Sequence, residues 1–80
     1  MDKKPLLLLD ECVHRKLIYE LSRWYNIVIP KTGLSDYEIR DLAAILDAYI
    51  LTYDRGFPDY AKLIYARGYH EARYKVKSKI

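Results

Sequence analysis

Three aspartates stand where this chain is best placed to do chemistry. Asp10 closes the run Leu6-Leu7-Leu8-Leu9, and Asp54 closes Ile50-Leu51-Thr52-Tyr53. Asp36 lies in Gly33-Leu34-Ser35-Asp36-Tyr37-Glu38, a few residues beyond Ile27-Val28-Ile29. Short apolar runs bounded by turn residues read as strands buried on both faces. In an open parallel sheet, ligands bind just beyond the carboxyl ends of such strands. Acids at those ends are gathered in space although remote in sequence. Their mutual repulsion calls for a cation. Hard carboxylate oxygens suit Mg²⁺ or Mn²⁺ rather than zinc. An ion held there polarises a phosphodiester and lowers the pKa of a bound water.

The acids nearby extend the constellation. Glu38 is a second candidate metal ligand from the same segment as Asp36, and the residue pattern does not separate the two. Glu11 and Asp59 are extra acids close to Asp10 and Asp54. Each acid also has a purely structural reading. Asp10 suits a helix N-cap, Ser35 and Glu38 form a capping box, Asp54 suits a turn before Arg55-Gly56, and Asp59 suits the first turn of a helix. Cys12 and His14 lie on one helical turn, but the chain has one cysteine and its next histidine is His70, too few ligands for a zinc site.

The elements that must position these acids follow from periodicity. Leu6 to Leu9 reads as a strand. Glu11 to about Arg23 reads as a helix with Val13, Leu17, Leu21 and Trp24 on its apolar face, Trp24 anchoring the core. Tyr25 to Ile29 is a second strand, stopped by Pro30. The helix opened by Ser35 turns Ile39, Leu42, Ala43 and Leu46 inward. Tyr49 to Tyr53 is a third strand. Pro58 to about Arg67 reads as a third helix, with Ala61, Ile64 and Tyr65 inward and Gly68 at its C-terminus. Tyr69 to Val76 alternates and reads as a fourth, edge strand, with 77–80 as a frayed tail. The expectation is an α/β fold, a single small three-layer domain over 1–80 with a mostly parallel four-stranded sheet in the order βαβαβαβ.

Composition narrows the setting. Eighty residues make one domain with a modest core. One cysteine fits a reducing, cytoplasmic location. Met1 to Leu9 has lysines before leucines, but the apolar run is too short for an export signal and nothing reaches membrane-spanning length. Nine tyrosines favour an interface, and a homodimer or other oligomer is expected. The net charge of +3 is mild, but Arg73, Lys75, Lys77 and Lys79 recur at every second position. With Arg55 beside Asp54, Arg73, Lys75 and Lys77 are candidate phosphate contacts for RNA. Tyr69 and Tyr74 stand near them as candidate stacking residues.

The strand ending in Asp10-Glu11, the segment Gly33 to Ile39, and Thr52-Tyr53-Asp54-Arg55-Gly56-Phe57 together resemble a PIN-like domain, of the short branch similar to VapC-type toxins. The last segment is similar to that family's T-x-D-x-D-F signature. The resemblance spans roughly residues 6 to 70. It implies Mg²⁺- or Mn²⁺-dependent RNA cleavage at Asp10, Asp36 and Asp54, with Glu38 as support, and a partner antitoxin protein. The chain departs from the pattern in three places. Gly56 stands where the signature has its second acid, Cys12 where asparagine is common, and the C-terminus is short of a further helix. These departures keep a second expectation open, a degenerate module that binds RNA or a protein without cutting.

Overall fold

Parallel pairing decides this architecture. The computed structural model describes residues 3–80. It contains β1 (Leu6–Leu9), α1 (Lys16–Leu21), β2 (Asn26–Val28), α2 (Asp36–Leu46), β3 (Tyr49–Thr52), β4 (Leu63–Tyr65) and α3 (Tyr69–Lys77). The four strands form one sheet in the order β2-β1-β3-β4, and every neighbouring pair is parallel. The two central strands, β1 and β3, pair Leu8 with Ile50 and Leu9 with Leu51. Both are apolar because both of their faces are covered.

Alternation sorts the strand residues between two cores. Leu7, Leu9 and Leu51 face α1 and α3, where Leu17, Leu21, Ala72 and Val76 meet them. Leu8 and Ile50 face α2, against Ile39, Ala43 and Phe57. Leu7, Leu8, Ile50 and Leu51 are fully buried, and each contributes about 1.5–3 kcal/mol of transfer free energy. The result is a compact three-layer α/β domain. Its edge strands, β2 and β4, are three residues each, which limits what another sheet can pair with.

α2 forms as its capping box directs. The Ser35 hydroxyl accepts from the Glu38 amide at 3.2 Å, and the Glu38 carboxylate accepts from the Ser35 amide at 2.8 Å. The helix ends at Asp47, whose left-handed φ of 54° closes it.

Four expectations are corrected. The first helix is shorter than Glu11 to Arg23, because residues 11–13 turn instead, with the Val13 amide on the Asp10 carbonyl at 3.0 Å. Asp10 therefore caps no helix, and Arg15 holds the N-cap position of α1. Trp24 is 38% exposed and does not anchor the core; the buried aromatic there is Tyr25, 1% exposed. Its hydroxyl donates to the Val76 carbonyl at 2.7 Å, and burial pushes its pKa up to about 12.

The C-terminal third has its two elements exchanged. Pro58 to Arg67 is not a helix: it is a loop followed by β4, whose Ile64 and Tyr65 pair with Leu51 and Thr52. Tyr69 to Val76 is not an edge strand but helix α3, entered from Gly68. The order is therefore βαβαββα, not βαβαβαβ. Residues at i and i+4 share a face under both a strand and a helix period, so Ala72 and Val76 supported either reading. Glu71 in the first turn and Lys75 and Lys77 in the last complement the helix dipole. Glu71 and Lys75 also pair at 3.2 Å.

Glu20 ties α1 to α3. Its carboxylate accepts from Arg73, from Lys77 at 3.2 Å and from the Tyr69 hydroxyl at 3.0 Å. The Arg73 guanidinium first, with help from Tyr69 and Lys77, lowers the Glu20 pKa from 4.5 to about 2. A carboxyl with a depressed folded-state pKa adds stability above its unfolded pKa and loses it on acidification. The melting temperature should thus fall as the pH drops from 4.5 towards 2. Glu20→Gln should lower stability at neutral pH and flatten that acid limb, as thermal melts across the pH series would show.

Candidate functional site

The connections of the sheet create a crevice at its centre. From β1 the chain passes through α1 to β2 on one side, and from β2 through α2 to β3 on the other side of β1. Connections thus leave β1 and β3 in opposite directions, and this switch point is where open α/β sheets bind ligands. Asp10 follows β1 and Asp54 follows β3 by one intervening residue. Both lie at this point.

Asp10 is held firmly. Its amide donates to the Leu51 carbonyl at 3.0 Å, extending the β1–β3 ladder by one rung. Its side chain is 8% exposed. One carboxylate oxygen accepts from the Glu11 amide at 2.9 Å, the other from the Thr52 hydroxyl at 2.7 Å and from the Cys12 thiol at 3.6 Å. Thr52 is fully buried. Its hydroxyl oxygen also accepts from the Asp54 amide at 3.0 Å. One hydroxyl thus fixes both the Asp10 side chain and the start of the Asp54 turn. Asp54 folds back on that turn, its carboxylate accepting from the Gly56 amide at 2.8 Å. Phe57, 5% exposed, pins the turn into the α2-side core.

Asp36 completes the group from the first turn of α2. Partial burial pushes its pKa up, and the charges of Asp10 and Asp54 push it further, with a hydrogen bond to Asp54 favouring the neutral form. The three acids are therefore electrostatic neighbours, drawn from three separate segments. Among the described residues, no three His, Cys, Asp or Glu side chains converge closely enough to hold a metal ion between them. The donor set is hard oxygen throughout, which suits Mg²⁺ or Mn²⁺ in kind.

The remaining candidates divide. Glu11 and Cys12 line an open basin together with Asp10 and Asp54. Burial raises the Cys12 pKa, and the Asp10 charge adds to it, so the thiol stays protonated as a donor. Glu38 spends its carboxylate on the helix cap. Asp59 is exposed on the loop leading to β4, and Arg55 is exposed in the Asp54 turn. His14 pairs through Nδ1 with the Tyr53 hydroxyl at 2.9 Å rather than with Cys12.

The basic positions do not form one stripe, because α3 is a helix. Arg73 and Lys77 turn together to Glu20. Lys75 turns elsewhere, to the Tyr65 carbonyl at 2.8 Å and to Glu71. Tyr69 is half-buried, with Lys16 Nζ over its ring at 4.2 Å, while Tyr74 is 76% exposed.

Sequence reasoning missed Thr52 as the residue joining the acids. Its place one residue past the apolar run and two before Asp54 was the available signal. No family model, curated protein or solved structure matches this chain.

Replacing Thr52 by Val keeps the shape and removes the hydroxyl. The Asp10 carboxylate then loses a buried, charge-assisted donor, a change of about 1–3 kcal/mol. Thr52→Val should lower the denaturant midpoint accordingly, and Thr52→Ser should recover most of the loss.

Proposed function

We propose that this protein is a small metal-dependent ribonuclease of PIN-like type. The observation that carries the reading is the electrostatic coupling of Asp36 to Asp10 and Asp54 at the sheet's switch point. A carboxyl whose pKa is raised by burial and by neighbouring carboxylates at the carboxyl end of a sheet is a functional-site candidate on physical grounds. Their order and spacing are those of the family pattern that the sequence resembles.

In this reading Asp10 and Asp54 hold a Mg²⁺ or Mn²⁺ ion, with Asp36 completing the anionic wall. Such an ion would polarise an RNA phosphodiester and lower the pKa of a bound water. The chain's own part is orientation. Thr52 and the Glu11 amide hold the Asp10 carboxylate rigid, and the Gly56 amide holds that of Asp54. Burial and the charges of Asp10 and Asp54 raise the Asp36 pKa, and a cation at the crevice would lower it again. Exposed Tyr19, Tyr37, Ile45 and Tyr74 supply apolar surface for a second copy or for an antitoxin protein.

The purified protein should cut single-stranded RNA with Mn²⁺ and not with a chelator, and Asp10→Asn should abolish the cutting. Identical products from wild type and Asp10→Asn would assign the activity to a contaminant and overturn the reading.

A second reading, a module that binds without cutting, is favoured by Gly56. The family pattern puts a further acid there. A Cβ at this position would lie 3.4 Å from an Asp54 carboxylate oxygen, an ordinary contact that leaves room for a side chain. Gly56→Asp should tighten Mn²⁺ binding several-fold by adding a carboxylate beside Asp54. Calorimetric titration of wild type and variant measures this. A wild type with no saturable Mn²⁺ binding, and a variant that gains it, would favour the non-cutting module.

A further inference from the structure

A cleft of about 130 Å³ opens beside the acid basin, and the two share Asp10 and Glu11. The cleft lies between the end of β2 and the segment that leads into α1. Val13, Ile18, Ile29 and Pro30 give it apolar walls, and Glu11 and Arg15 put opposite charges on its rim. Ile29 is 44% exposed, an aliphatic surface at the cleft with water against it. Arg15 occupies the N-cap position of α1 but makes no side-chain cap bond, so its guanidinium is not consumed there.

Apolar walls with a few charged groups at the edge are the pattern of a site for a flat heterocycle. Splayed-out bases are recognised by stacking on apolar or aromatic side chains and by hydrogen bonds along their edges. The charges select among the bases. A carboxylate accepts two adjacent N–H bonds, which guanine offers at N1 and N2. A guanidinium donates to two adjacent acceptors, which guanine offers at O6 and N7. Adenine has no N–H at N1, and neither pyrimidine carries this combination.

We propose that the cleft is a base-recognition subsite that takes guanine from the nucleotide next to the phosphodiester in the acid basin. Glu11 reads N1–H and N2–H, and Arg15 reads O6 and N7. The inference rests on reading the basin as the phosphodiester site, but base binding needs no metal and is measured apart from cleavage.

The test is calorimetric titration of the whole chain with 5′-GMP, AMP, CMP and UMP in the presence of EDTA. GMP should bind saturably and more tightly than the other three. Arg15→Ala and Glu11→Gln should each weaken GMP by roughly fivefold or more. Both side chains are exposed, so circular dichroism should find both variants folded. No saturable GMP binding, equal binding of all four nucleotides, or GMP affinity unchanged in both variants would overturn the proposal. GMP selectivity in a protein that cuts no RNA would support the guanine site while overturning the nuclease reading.

Discussion

The β1–β3 pairing is the constraint from which the rest follows. It joins segments more than forty residues apart and places two aspartates at the only point in the sheet where connections diverge. The hydrogen bond from Thr52 to Asp10 is the side-chain expression of that pairing. A shift of register by one residue would turn Asp10 towards the opposite core and break this bond, since successive side chains in a strand face opposite ways. Apolar strand positions therefore govern the placement of the polar ones. Leu8 and Ile50 must face α2 for Asp10 and Thr52 to face one another.

Charge is distributed by the same logic. At the crevice, burial first and then the charges of Asp10 and Asp54 raise the Asp36 pKa. Elsewhere the chain pairs its charges. Glu20 collects Arg73 and Lys77, Glu71 collects Arg67 and Lys75, and Asp47 collects Lys62. This small domain pairs carboxylates on its helices and leaves Asp10 and Asp54 at one sheet end without an ion-pair partner among the described residues.

What was legible in the sequence was mostly local chemistry. The capping box at Ser35 and Glu38, the apolar runs of β1 and β3 and the acids that end them are short-range signals, and each stands in the structure. The parallel four-stranded sheet was legible too, although its fourth strand was not. Leu63-Ile64-Tyr65 hides in a stretch whose Pro58 and Gly68 mimic helix boundaries. Its strand state depends on the open edge of β3, which is tertiary information. Tyr69 to Val76 misled because Ala72 and Val76 satisfy both periods. The Glu20 cluster that stabilises the helical choice comes from α1, far away in sequence. Trp24 lost its core position to Tyr25 for a similar reason: the Tyr25 hydroxyl finds the Val76 carbonyl, a partner known only once α3 is folded. At the crevice, Glu38 and Asp36 looked alike until the cap claimed one of them.

All three strand pairings link segments distant along the chain, and none is a hairpin. Closing such contacts is entropically slow. Because translation runs from the N-terminus, Asp10 is made first and waits for β3 and Asp54 to emerge. A nascent fragment lacking β3 cannot bring Asp10 and Asp54 to one sheet end. Topology of this kind leaves the crevice unassembled until β3 has paired with β1.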